Sequence, residues 1–395
     1  MISASWPTSM SSCTSRYCDT WTLLQHCTFK MKILHVITSL YTGGAEHLMV
    51  DLLPLLTDGG KNQVDLLLMN GVETSFKKVI ERRGIKVSWV AQTNDVYNPR
   101  NIFNMRKYLH GYDIIHTHNT SCQLYVPMAL MLNRQSPVLV TTEHSSSNRR
   151  RTKWWTKPVD RWMYDRYSAI VCIADMARRN LEEYIGATSR MLTISNGVDV
   201  KRFERPVKDI SAQRQFVITM VAAIRAEKDH ETLLRSMVHL PDCYRLQIVG
   251  DGEKENRDRV EAVCNELGLQ RRVDFMGVRQ DVPDILENSD IVVLSSHWEG
   301  LSLSSIEGMA SGRPFVASDV DGLREMVGGA GVLFEHGNDR DLADKIRFLC
   351  EHPDEYRQVA ERCQAKARQY DITVMASKYL ELYAKLLHRQ HEANN

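Results

Sequence analysis

Ser295-Ser296-His297-Trp298-Glu299-Gly300-Leu301-Ser302-Leu303-Ser304-Ser305-Ile306-Glu307-Gly308-Met309-Ala310-Ser311-Gly312-Arg313-Pro314 is the stretch whose reading decides the fold. A β-branched run, Ile291–Leu294, leads into it, and another, Pro314–Ala317, follows. Between them lie a small-residue loop and a short helical pattern. A strand, a loop, a helix and a strand in that order make a parallel crossover. Free N–H groups of Gly300, Leu301 and Ser302 at the start of the helix suit a phosphate. Glu299 falls on the loop and Glu307 on the helix, so the two carboxylates reach opposite ends of one ligand. A carboxylate beside that helix accepts two vicinal hydroxyls, as a ribose presents them. The bland alternative makes Glu299 a helix cap and Glu307 a solvent-facing residue. It leaves unexplained why both carboxylates flank a phosphate-ready loop.

The same alternation runs through the rest of the chain. Strands are predicted at Ile33–Thr38, Gln63–Met69, Lys86–Val90, Ile114–Thr117, Pro137–Thr142, Ala169–Ile173 and Met191–Ile194. A second series is predicted at Phe216–Val221, Tyr244–Val249, Val273–Met276, Ile291–Leu294, Pro314–Ala317 and Val332–Phe334. Helical patterns such as Glu46–Thr57, Ser75–Arg83 and Glu253–Leu267 separate most of them. This is an α/β protein with parallel sheets and helices on both faces. So many strands would make one very wide sheet, which predicts two sheets in two domains. The charged, Pro206-containing stretch 200–215 divides the two series. The expected domains are therefore 31–205 and 206–371, with a closing segment 372–395 that opens on the amphipathic helix Ile372–His388.

Composition narrows the function. The 395 residues carry 50 Lys+Arg against 49 Asp+Glu, which argues against a dedicated nucleic-acid binder. No apolar run approaches the length that spans a bilayer. Three of the nine Cys, Cys13, Cys18 and Cys27, fall within residues 1–30. That segment lacks both apolar periodicity and the plan of a secretory signal, so it is expected to be a disordered extension ahead of the first strand. The other six Cys have no CxxC spacing and read as reduced thiols of a cytoplasmic protein.

Other motifs mark strand ends. Gly43 and Gly44 follow the first strand, where they permit either a tight turn or close approach of a ligand. The pattern is not GxGxxG, which disfavours a dinucleotide fold. His116-Thr117-His118-Asn119 and Thr142-Glu143-His144 close two further strands. Ligands bind at that edge of an open parallel sheet. His116 reads as a core histidine. Without partners at zinc-like spacing, hydrogen bonding to a polyhydroxylated ligand suits the other histidines better than metal. The run from Arg149 to Trp155 is basic and aromatic. It suits an anionic lipid surface, or equally an amphipathic helix with basic residues in solvent.

Glu-x7-Glu within EGLSLSSIEGMASGRP resembles the signature of the retaining glycosyltransferases of family 4. The resemblance extends in order over nearly all of residues 31–390. It takes in MKILHVITSLYTGGAEHLMVDLL, DIIHTHN, VTTEHS, ISNGVDVKRF, LQIVGDGEKE, VDFMGVRQDVPDIL and PFVASDVDGLREMV. It implies the GT-B architecture: two Rossmann-like, doubly wound domains facing a cleft, with the C-terminal helix crossing back to the first. It further implies that Glu307 holds the donor ribose. Glu299, Gly300, Leu301 and Ser302 would contact the transferred sugar and the diphosphate. Lys228 would neutralise the leaving group, and Val278 lies in the strand end that would meet the base. Gly43 and Gly44 would close over the phosphates. His144 would stand at the reacting sugar, with His118 and Asn119 lining the acceptor side of the cleft. One departure is that Ala223 stands where the family commonly has Arg; Arg225 would supply that charge or remain a solvated loop residue.

The implied reaction moves a sugar from a UDP- or GDP-sugar to a hydroxyl acceptor, in the cytoplasm or on the inner face of the cytoplasmic membrane. The acceptor includes the lipid-diphosphate class, which the basic run Arg149–Trp155 would suit. No metal or other cofactor is expected. Asp319-Val320-Asp321 fits the Asp-x-Asp spacing of a metal clamp, but it matches a segment with no metal role in the family. The alternatives are a GT-B enzyme of another class, such as a UDP-sugar 2-epimerase, and a non-catalytic nucleotide-sugar binder.

Overall fold

The computed structural model describes residues 30–41, 44–92, 94–131, 136–144, 151, 153–210 and 215–394. Gly43 and most of the 1–30 segment lie outside the described residues, as do Arg149 and Arg150. The first sheet has seven strands: β1 (Lys32–Ile37), β2 (Gln63–Asn70), β3 (Lys86–Ala91), β4 (Ile114–His118), β5 (Val138–Glu143), β6 (Ala169–Cys172) and β7 (Met191–Thr193). They lie in the order β3-β2-β1-β4-β5-β6-β7. The second sheet has six: β8 (Phe216–Val221), β9 (Tyr244–Val249), β10 (Val273–Gly277), β11 (Ile291–Leu294), β12 (Phe315–Ser318) and β13 (Val332–Phe334), ordered β10-β9-β8-β11-β12-β13. Every ladder is parallel.

Central strands such as β4, β5, β11 and β12 are buried along their whole length. That is why they read as unbroken apolar or β-branched runs rather than alternating ones. The predicted strands match the observed ones to within a residue at nearly every end.

Strand order reverses between β1 and β4 in one sheet and between β8 and β11 in the other. At such a switch point the flanking loops diverge to opposite faces and leave a crevice at the carboxyl edge. The segments that follow these four strands begin at Thr38, Asn119, Ala222 and Ser295. They carry most of the candidate residues.

The last helix, Ile372–Asn394, belongs to the core of the first domain. Ile372, Met375, Ala376, Tyr379, Tyr383 and Leu386 pack in one cluster with residues of β1, β2, β4, β5 and β6. The two segments leading into and out of the second domain run side by side. Val198 donates to the Tyr370 carbonyl at 3.0 Å, and Ile372 donates to that of Val198 at 2.9 Å. Gly197 allows this contact, because a Cβ there would meet the Ile372 Cα at 2.7 Å. The SGRP end of the signature is structural. Arg313 is 4% exposed and donates to the carbonyls of Ser289, Pro206, Ser311 and Glu287, which locks the linker onto the second domain.

Candidate active site

The second-domain half of the site is built at the β8/β11 crevice. Lys228 ends a short 3-10 turn after β8, and Glu299 follows β11. Their side chains form an ion pair, 19% and 9% exposed. Ser296 Oγ donates to the same Glu299 oxygen at 2.9 Å. The two loops are stitched together by backbone contacts. The His297 N–H donates to the Glu227 carbonyl at 2.8 Å, and Ser295 Oγ donates to that of Asp229 at 2.8 Å. Behind them Gly322 lets the next helix approach, since a Cβ there would meet the Glu299 carbonyl oxygen at 2.2 Å. The loop is thus clamped from both sides.

The N–H groups of Gly300, Leu301 and Ser302 donate to no protein acceptor among the described residues. They precede the helix Leu303–Ala310, whose first turn carries no acidic side chain. Three such donors at a helix N-terminus are a ready anion site. Glu307 sits on the same helix, held close to the sheet by Gly308. A Cβ at 308 would meet the Phe315 ring at 2.7 Å and Val292 at 2.9 Å. Loss of water around the Glu307 carboxyl raises its pKa to about 7, against the weaker pull of Arg202. Among the described residues the carboxyl has no hydrogen-bond partner, so both oxygens are available.

Arg225 is largely exposed, 3.8 Å from Glu227, on the wall of a 310 Å³ cavity with Asp229, His297 and Trp298. Val278 is 76% exposed at the end of β10.

In the first domain, Gly44 begins the helix Gly44–Leu56, and a Cβ there would meet nothing within 4 Å. Packing therefore does not require this glycine. Asn119 holds φ at 67°, a strained value for a residue with a side chain, and its amide lies beside the Glu46 carboxyl. Burial raises the pKa of Glu46 in spite of that polar neighbour. Glu46 carries no role in the sequence reading; only the meeting of the β1 and β4 ends exposes its position.

Histidines fill the β1/β4/β5 edge. The register sets His35 opposite His116 and His118 opposite Thr142. His35 Nδ1 lies 2.9 Å from His118 Nε2, and His118 Nδ1 lies 2.9 Å from His144 Nε2. The sequence expectation put His118 on the cleft wall. It lies one layer behind, 1% exposed, because β4 is a central strand and His144 covers it. His116 is fully buried, with one nitrogen 2.6 Å from the Tyr383 hydroxyl and the other 2.7 Å from Thr142 Oγ1. A cation shared by His35, His116 and His118 would have to break one of those bonds.

The outer ends of the three-ring relay, His35 Nε2 and His144 Nδ1, are buried and have no hydrogen-bond partner among the described residues. Desolvation lowers His144 to a pKa of about 4 and His35 to about 3, so both rings are neutral near pH 7. A neutral ring carries one N–H. If His118 donates to His144, the free His144 Nδ1 is a donor. If the chain runs the other way, it is a lone pair.

Arg151 corrects the reading of the basic run. Its guanidinium turns inward and pairs with Glu143 at 2.6 Å, the two side chains 12% and 6% exposed. Gln123 and Tyr164 complete the Glu143 shell. A carboxylate desolvated at the end of β5 draws in the nearest cation, so Arg151 offers no charge to a surface. No helix among the described residues is long and apolar enough to cross a membrane. The Asp319-Val320-Asp321 pair is neutralised by Arg324, at 2.6 and 3.1 Å.

Comparison with known proteins matches this architecture. A Glycosyltransferase Family 4 model covers residues 42–202, and a Glycosyl transferases group 1 model covers residues 201–369. An N,N'-diacetylbacillosaminyl-diphospho-undecaprenol alpha-1,3-N-acetylgalactosaminyltransferase of Campylobacter jejuni is 30% identical over 46% of this chain. That match spans about half the relative's own length, 47%. An Escherichia coli UDP-Gal:alpha-D-GlcNAc-diphosphoundecaprenol alpha-1,3-galactosyltransferase is 28% identical over 53% of this chain and 59% of its own. The fold is shared with Anabaena HepE, solved with UDP and glucose, at a TM-score of 0.77 and 23% identity over 90% of this chain and all of that one. With one glycosyltransferase model on each Rossmann-like domain, the two meeting at the junction between the sheets, the chain is a glycosyltransferase of the GT-B type.

Proposed function

We propose that the protein is a retaining glycosyltransferase. Its donor is a UDP- or GDP-sugar, and its acceptor is a hydroxyl on a lipid-diphosphate-linked sugar destined for a cell-surface polysaccharide or glycolipid. The observation that carries this reading is the Lys228–Glu299 pair beside the unbonded N–H groups of Gly300–Ser302, with the unpartnered Glu307 on the following helix. The acceptor class is taken from the names of the two matched transferases. Such an acceptor would bring the protein to the inner face of the cytoplasmic membrane.

The C1–O bond to the diphosphate breaks as the acceptor oxygen bonds to C1 on the same face. The leaving phosphate oxygen takes the acceptor proton. Negative charge grows on the diphosphate, and Lys228 with the loop N–H groups meets it without reorganising. That supply of positive charge is why no metal is invoked. Gly44 leaves room for the phosphates to approach the first domain, and Asn119 and Glu46 face the acceptor. At the reacting sugar stands a neutral His144. Its backbone or ring stabilises the oxocarbenium character of C1. Glu299 orients the sugar, Glu307 accepts the ribose hydroxyls, and the strand end at Val278 borders the base.

Nucleotide binding tests the donor assignment. Hydroxyls donate best to an ionised carboxylate, and Glu307 ionises at about 7. Affinity for UDP or GDP, whichever is bound, is therefore full above that pH. It falls by up to ~10-fold per unit below it. Calorimetry at about pH 6 and about pH 8 should show a larger loss in the wild type than in Glu307→Gln, which binds weakly at both and keeps only the titration of the nucleotide's terminal phosphate. Equal pH dependence in the two proteins would remove Glu307 from the nucleotide site. The same shift sets a stability trend for the free protein. The contribution of protonated Glu307 is full below its ordinary 4.5 and is lost as pH rises through about 7.

A further inference from the structure

A second cluster of metal-ligating groups lies beside the donor loop and takes no part in the chemistry above. We propose that Asp229, His297 and His336 form a binding site for one divalent transition-metal ion of the Zn2+/Co2+ class. One ligand atom from each of Asp229, His297 and His336 lies within 4.8 Å of the other two. The two ring nitrogens are 2.8 Å apart, and Asp229 Oδ2 is 3.6 Å from His297 Nδ1.

The carboxylate is prepared for a ligand. Its side chain is 6% exposed, and Oδ2 accepts no hydrogen bond among the described residues. Its other oxygen is committed to the Thr232 N–H at 3.1 Å, which fixes the side chain as the cap of the helix His230–Val238. Asp229 also holds φ at 48°, a left-handed value that a side chain adopts only when its surroundings enforce it. An unpaired buried oxygen aimed at two imidazole nitrogens is a costly arrangement for a merely structural corner.

Replacing the proton shared by the two rings with a cation needs little movement. Zinc–nitrogen bonds of about 2.0–2.1 Å in tetrahedral geometry set the nitrogens about 3.4 Å apart, so the rings separate by roughly half an ångström. Two imidazoles and one carboxylate, with the fourth position open to solvent, suit Zn2+ or Co2+ rather than Mg2+ or Ca2+. The site would tie together three loops. Asp229 follows Lys228, His297 lies two residues before Glu299, and His336 follows β13. Metal there staples the loops that carry the Lys228–Glu299 pair while leaving that ion pair intact.

Co2+ titration of the tag-free, chelator-stripped protein tests the site through its visible absorption. One equivalent should bind per chain with tetrahedral-type bands and raise the melting temperature, and excess Mg2+ should not displace it. His336→Ala should lose at least the ~10-fold in affinity that removing even an outer partner costs. Asp229→Asn keeps the helix cap while removing the charge, and it should weaken binding similarly. His391→Ala, on the C-terminal helix, should behave as wild type. Absence of saturable uptake overturns the proposal. So does uptake that His336→Ala and Asp229→Asn leave unchanged, or uptake that His391→Ala abolishes.

Discussion

Lys228→Ala should lower kcat/KM by about 100- to 1,000-fold, the range for removing one preorganised group that meets transition-state charge. Steady-state release of nucleoside diphosphate measures it. The substitution also strips Glu299, 9% exposed, of its cation and leaves it only the Ser296 hydroxyl. A loss of activity alone would therefore mix two effects. The double variant Lys228→Ala/Glu299→Gln, read against Glu299→Gln alone, separates them. Removing both charges restores stability, because no buried charge is left unpaired. It does not restore turnover if Lys228 meets the leaving diphosphate. Recovery of turnover in the double variant would reduce Lys228 to a counterion for Glu299.

Arg151→Ala should destabilise the protein by ~3–5 kcal/mol, the usual penalty for orphaning one partner of a buried pair. A surface arginine would cost less than ~1 kcal/mol, so the measurement discriminates sharply. Denaturant unfolding is the readout. Arg151→Ala/Glu143→Gln should recover most of the loss, since Gln123 and Tyr164 can still bond a neutral amide. Unchanged stability of Arg151→Ala would return this residue to the basic surface run.

The contrast between these residues explains what the sequence discloses. The strands were legible because buried parallel strands show themselves as β-branched runs, and because Gly and charged turns separate them. The ordered resemblance over two domains points to Glu299, Glu307 and Lys228, and the strand order brings their loops out of the sheet at one switch point. Arg151 was misread because a run of like charges looks solvated until a buried carboxylate from another element claims one of them. His35 was passed over since it sits inside an apolar strand. Only the pairing of β1 with β4 brings it to His118, and through it to His144. The strain at Asn119 and the cluster of Asp229, His297 and His336 have no local spacing at all. They arise where separate strand ends converge.

The central claim is that this cleft transfers a sugar from a nucleotide donor to a lipid-diphosphate-linked acceptor. A panel of UDP- and GDP-sugars, assayed for nucleoside-diphosphate release with and without such an acceptor in the presence of chelator, tests it most directly. The account predicts acceptor-dependent release from one donor, undiminished by chelator and abolished in Glu307→Ala, with a product that keeps the donor's anomeric configuration. Turnover of a donor without any acceptor to give an epimerised sugar, or a product of inverted configuration, would contradict it.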